Sequence, residues 1–184
     1  MANKRRHGLI IVVTGDGKGK TTSALGLAFR ALGNGYRVFI VQYIKGKWKT
    51  GEKKLADLLR AHADQLGLDI EILPMGDGFT WVTQNREQDM ATTRRIWEVS
   101  KETIASRKYD LVILDEINVV MKHGYLDPEE VASFLKDRDP NLHVVLTGRG
   151  APPEVCALAD TVSEIAAVKH HYKAGIKAQQ GIEF

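Results

Sequence analysis

The chain has 184 residues, enough for one domain with a sizeable core, and its 43 % hydrophobic and 27 % charged residues are ordinary for a soluble globular protein. A net charge of +3 is too small to make nucleic acid the main partner, and the longest early apolar run, Leu9 to Val13, is too short to span a membrane. Cys156 is the only cysteine, so no intrachain disulfide forms and a reducing compartment fits. With no small-residue cleavage site after the apolar run, the expected location is the cytoplasm. Basic residues gather at Lys4-Arg5-Arg6 and at Lys45, Lys47 and Lys49, as a solvated surface or as an attraction for an anionic ligand.

Short apolar runs alternate with longer amphipathic ones. Segments 8–13, 36–43, 68–73, 109–115 and 142–147 are rich in Val and Ile and bounded by Gly, Asp or Pro, which predicts strands; 161–165 is a weaker sixth. Ala24, Leu27, Ala28 and Ala31 share one face of a helix that Gly33 or Gly35 can end. Leu55, Leu58, Leu59, His62 and Leu66 predict a second apolar face, with His62 packed in it. Met90, Trp97 and Ile104 recur every seven residues in a charged segment, which predicts a long helix with that stripe on the core. Asp127-Pro128-Glu129-Glu130 opens another helix, with Asp as cap and Pro in the first position.

This alternation predicts a single α/β domain over 1–184, a mainly parallel sheet flanked by helices, with a basic tail at 1–7 and a carboxyl-terminal segment at 166–184. Parallel strands put all their carboxyl ends on one edge, where ligands bind. The segments leaving that edge are TGDGKGKTT, KGKWKTG, PMGDGFTW, DEIN and TGRG.

TGDGKGKTT (14–22) follows the first strand and opens the first helix, as a phosphate loop does. Thr14 occupies the first glycine position, but Gly15, Gly17 and Gly19 let the backbone curl around phosphate oxygens, with Asp16 and Lys18 between them. Lys20 supplies a point charge, the Thr21 hydroxyl can ligate Mg²⁺, and Thr22 continues into a helix whose amino terminus favours anions. Asp115-Glu116 ends the strongest strand, the place for an acidic Mg²⁺ partner. Arg149 sits on the same edge, either to neutralise phosphate charge or as a structural arginine. The guanine-reading N-K-x-D pattern is absent, which favours adenine. His170 and His171 are expected in a solvated or phosphate-contacting tail.

TGDGKGKTT, GFTWVTQNRE, VILDE, TGRG, LADTVSE and VKH…AGIKAQQGIEF, in this order, resemble the P-loop (RecA-like) type of ATP:cob(I)alamin, or corrinoid, adenosyltransferases. The resemblance runs from about Gly8 to Phe184. It implies transfer of the 5′-deoxyadenosyl group of ATP to Co(I) of a corrinoid with release of triphosphate, in adenosylcobalamin biosynthesis or salvage. It implies ATP binding by Gly15 to Thr22, Mg²⁺ held by Thr21 and Glu116 with Asp115 beside them, and corrinoid contact by Phe79 and Trp81. It also implies a homodimer and a flavoprotein electron donor. Asp16 stands where the family commonly has Asn, and a carboxylate beside phosphates is unfavourable unless it points away. The cobalt is the nucleophile, so no side chain needs activation; Lys20 and Arg149 are left to stabilise the departing triphosphate. The two aromatics are read as a wedge that excludes the axial base of the corrinoid, the alternative being an anchor for their loop. The competing function is an ordinary P-loop ATPase or small-molecule kinase.

Overall fold

The computed structural model describes residues 7–46, 50–76 and 86–183. Six strands form one parallel sheet: β1 (Ile10–Thr14), β2 (Val38–Gln42), β3 (Ile70–Pro74), β4 (Leu111–Asp115), β5 (His143–Thr147) and β6 (Thr161–Glu164), in the order β3-β2-β4-β5-β1-β6. Every predicted strand is present. The helices are α1 (Lys20–Leu32), α2 (Gly51–Ala61), α3 (Ala63–Leu66), α4 (Arg86–Ala105), α5 (Ile117–Lys122), α6 (Pro128–Lys136) and α7 (Pro153–Leu158), followed by a 3-10 turn at His171–Ala174.

The central strands are apolar on both sides because both faces are covered. Val112 and Leu114 of β4 belong to one cluster with Ile96 and Trp97 of α4, Val131 and Leu135 of α6 and Val155 of α7. Their neighbours Leu111 and Ile113 belong to a second cluster with Ala24, Ala28 and Leu32 of α1 and Ala56 of α2. Burying each such side chain contributes about 1.5–3 kcal/mol. Trp97 is fully enclosed; its ring meets Phe134 edge-on at 5.4 Å, and its Nε1 donates to Glu130 at 2.6 Å. The predicted stripe on α4 is core contact at Trp97 and Ile104, while Met90 is half-buried. Asp127 caps α6 as expected, accepting from the Glu129 N–H at 3.0 Å.

The expected apolar face of α2 is corrected. Leu55, Leu58, Leu66 and His62 are exposed; Ala56 is buried against the sheet and Leu59 half-buried. The helix stops at Ala61, and His62, whose Nδ1 bonds the Leu58 carbonyl at 2.9 Å, starts a separate short helix. A 3.6-residue period therefore does not run through residues 55–66.

The register places the site. Gln42 lies beside Asp115, Leu114 beside Leu146, Val13 beside Thr147 and Thr14 beside Glu164. Five strands thus deliver polar residues to one edge within a residue of the same height, immediately below the loop that follows β1.

Candidate active site

That loop wraps over the carboxyl edge between β1 and α1. Gly15 and Gly19 have φ of +94° and +120°, the left-handed region that glycine adopts without strain. Gly17 is required for a different reason: a Cβ there would lie 2.6 Å from the Ala166 carbonyl oxygen. The chain after β6 packs this closely because the Gly17 N–H donates to Ile165 O at 2.7 Å, while the Ile165 N–H donates to Thr14 O at 2.9 Å. The Gly17 amide is therefore committed to the sheet edge rather than aimed at a ligand.

Beside the loop lies a cavity of about 490 Å³. Gly17, Lys18, Gly19, Lys20, Thr21 and Thr22 form one wall, and Glu116 and Arg149 belong to the same lining. Of the predicted residues, Gly15, Asp16 and Asp115 do not line it. The Asp16 side chain is 83 % exposed and lies 3.9 Å from Arg149, which lines the cavity. Phe79 and Trp81 lie outside the described residues.

Lys20 is buried, and its Nζ donates to the Gly17 carbonyl at 2.6 Å. Burial lowers its pKa, with Glu116 pulling the other way. Asp115 is fully buried behind the cavity wall. Its Oδ1 accepts from the hydroxyls of Thr21 and Thr147, both at 2.8 Å, and its Oδ2 from Gln42 Nε2 at 3.2 Å. Asp115 thus fixes the Thr21 hydroxyl, with Thr21 between it and the cavity.

Glu116 sits at the start of α5 with φ +67°, a left-handed conformation that costs a non-glycine residue about 1–3 kcal/mol. Its N–H donates to Thr147 Oγ1 at 3.0 Å, which helps hold the turn. Burial and then the neighbouring Asp115 push its carboxyl up to about 7, against the attraction of Lys20, Lys45 and Arg149. A strained, partly neutralised acid facing a phosphate loop marks a functional position. Asn118 of the DEIN stretch is buried, and its Nδ2 reaches the Gly148 carbonyl at 3.3 Å.

Two parts of the wall were only partly expected from the sequence. Lys45, beyond β2, bonds Glu52 of α2 at 3.1 Å and lies 3.9 Å from Asp115; both Lys45 and Glu52 line the cavity. Burial raises the Glu52 pKa, but Lys45 together with hydrogen bonds from the Glu52 backbone N–H and the Thr50 side chain holds the carboxyl below its ordinary value. The other part is the carboxyl-terminal segment, which brings His170, Gly181, Ile182 and Glu183 to the cavity. The lysine cluster at 45–49 gave a partial signal for the first. The second had none beyond the histidine pair, because its contacts to the loop cross more than 160 residues.

The sequence profile of the ATP:corrinoid adenosyltransferase BtuR/CobO/CobP family matches residues 6–184. The chain belongs to this family. It is 46 % identical over 178 residues to a corrinoid adenosyltransferase of Escherichia coli (strain K12), covering 97 % of this chain and 86 % of the relative. It is 45 % identical over 178 residues to that of Pseudomonas aeruginosa, covering 97 % and 84 %. It is 45 % identical over 181 residues to corrinoid adenosyltransferase CobA of Salmonella typhimurium, covering 98 % and 88 %. Among solved structures, the flagellar accessory protein FlaH of Methanocaldococcus jannaschii is similar with a TM-score of 0.56 at 16 % identity, over 86 % of this chain and 71 % of that one. The RadB recombinase is similar with a TM-score of 0.51 at 15 % identity, over 90 % and 77 %. These two likenesses concern the fold alone and agree with the RecA-like sheet expected of this adenosyltransferase family. Among the described residues, no helix is long and apolar enough to cross a membrane.

Proposed function

We propose that this corrinoid adenosyltransferase binds ATP in the cavity beside Gly17 to Thr22 and transfers its 5′-deoxyadenosyl group to Co(I) of a corrinoid. The observation that carries the reading is the convergence of Lys20, Thr21 and Glu116 on one cavity in a chain of this family. In the reaction the cobalt electron pair forms the bond to C5′. The C5′–O bond breaks, and its electrons leave on the triphosphate. The protein supplies alignment and charge stabilisation rather than a nucleophile. Lys20, already desolvated, meets the triphosphate without large solvent reorganisation, and Arg149 approaches from the exposed side of the loop.

Thr21 and Glu116 would hold Mg²⁺, with Asp115 fixing the Thr21 hydroxyl. Their hard oxygen donors suit this ion, which takes few protein ligands and completes its shell with phosphate and water. Among the described residues, no group of three or more His, Cys, Asp or Glu could hold a metal. Bound there, Mg²⁺ neutralises charge that develops on the leaving group.

Phe79 and Trp81, which follow β3 in the sequence, contact the corrinoid in this reading and exclude its axial base, which eases reduction of Co(II). A homodimer, a cytoplasmic location and a flavoprotein donor complete the reading by family resemblance. The test is to supply ATP with a chemically reduced corrinoid and identify the products. Triphosphate and an alkylated cobalt spectrum in equal amounts support it. ADP with phosphate, released without any corrinoid, would instead favour the ordinary P-loop ATPase.

A further inference from the structure

The carboxyl-terminal segment carries a carboxylate to the phosphate-loop cavity, and the transfer reaction has no use for one there. Glu183 Oε2 lies 2.9 Å from Lys18 Nζ, and the same ammonium donates to the Ile182 carbonyl at 3.1 Å. His171 Nε2 stands 3.0 Å from Glu183 Oε1, on the 3-10 turn that follows His170. Lys18 and Glu183 both line the cavity. An anion is therefore held between a phosphate-loop lysine and a histidine, in a cavity suited to a highly charged anion.

The carboxylate fills this place imperfectly. Its Oε1 is buried from solvent yet aligned with no hydrogen-bond donor. A carboxylate offers two coplanar oxygens, whereas a terminal phosphate offers three in a tetrahedral fan and more charge, so it can engage Lys18 and His171 at once. The hydrogen bond from Lys18 also holds the Glu183 carboxyl below its ordinary pKa, so the stand-in is anionic at neutral pH.

We propose that Lys18 and His171 form an anion subsite of the ATP cavity, filled by the Glu183 side chain when nucleotide is absent and by a phosphate group of the triphosphate when it is bound. The proposal rests on the reading of the cavity as a triphosphate site. It adds His171 to that site and gives Glu183 the role of an internal competitor. Entry of ATP breaks the Lys18–Glu183 contact, and return of Glu183 after transfer favours release of the triphosphate.

Calorimetric titration of the full chain with inorganic triphosphate, and separately with adenosine, tests this. Glu183→Gln is expected to bind triphosphate about two- to fivefold more tightly, the range that a partly exposed ion pair allows, with adenosine affinity unchanged. Lys18→Ala and His171→Ala are expected to weaken triphosphate binding. In the Lys18→Ala background, Glu183→Gln should bring no further gain. A strap that merely holds the tail predicts the opposite sign: loosening it would weaken binding or leave it unchanged, and either result overturns the proposal. So does a gain that persists without Lys18. Glu183→Ala should repeat the effect of Glu183→Gln, and melting temperatures of all variants guard against a folding loss. If the wild-type protein itself fails to bind triphosphate, the proposed function falls with the subsite; if it binds and the Glu183 variants do not tighten it, only the subsite falls.

Discussion

Glu116→Gln should make the ligand-free protein more stable and the enzyme worse. Burial and Asp115 raise the Glu116 carboxyl from 4.5 to about 7 in the fold. Below about pH 4.5 the group is neutral in both folded and unfolded chains, so folding costs it nothing extra. Between there and pH 7 the folded chain retains a proton that the unfolded chain has lost, so stability falls as pH rises. Above pH 7 the full penalty applies, ~3 kcal/mol at about 1.4 kcal/mol per pH unit. Gln keeps the size and the same left-handed backbone, so the comparison isolates the charge. Urea or thermal unfolding in EDTA, from pH 5 to pH 8.5, gives the difference curve between wild type and variant. The expected gap opens with pH to ~3 kcal/mol, about 6–12 °C in melting temperature for a chain of this size. Parallel curves would refute the reasoning, since other titrating groups are common to both proteins. Transfer in the same variant should demand more Mg²⁺, because a neutral amide is a poorer ligand for a hard cation.

Lys20→Ala should abolish transfer with pre-reduced corrinoid while leaving the fold intact, at a cost of about 3 kcal/mol or more of transition-state stabilisation; near wild-type turnover would remove the phosphate role. Gly17→Ala should weaken ATP binding and lower the melting temperature together, because its Cβ would collide with the Ala166 carbonyl 2.6 Å away; unchanged ATP affinity would show that the loop and the chain after β6 move independently. Phe79→Ala and Trp81→Ala should impair transfer to a Co(II) substrate far more than to pre-reduced Co(I). Equal losses with both substrates would leave the aromatics as loop anchors.

The sheet was legible because its strands are short Val- and Ile-rich runs buried on both faces, and a pattern so continuous has few other solutions. The phosphate loop and its acids were legible because their spacing is local. What periodicity misread was α2. It chose the largest apolar residues, Leu55 and Leu58, whereas the small Ala56 allows the close approach to the sheet. The acids were placed correctly at a strand end, yet adjacency alone could not divide them. The structure does, since successive residues at a strand end point opposite ways: Asp115 turns in to Thr21, Gln42 and Thr147, and Glu116 turns to the cavity. The Lys18–Glu183 contact had no local signature, because its partners stand at opposite ends of the chain.

β1 is flanked by β5 and β6, whose paired residues come 134 or more positions later, and its loop leans on Ile165. As the polypeptide leaves the ribosome, its first strand therefore emerges with neither neighbour. The phosphate loop is made first and shaped last. Until residue 165 has been synthesised, the Gly17 N–H lacks the carbonyl it bonds in the fold, so the loop is without one of the contacts that shape it. Long-range pairing of this kind slows folding and leaves an apolar strand exposed meanwhile. A nascent chain halted before residue 143 would present that strand, without either neighbour, to chaperones.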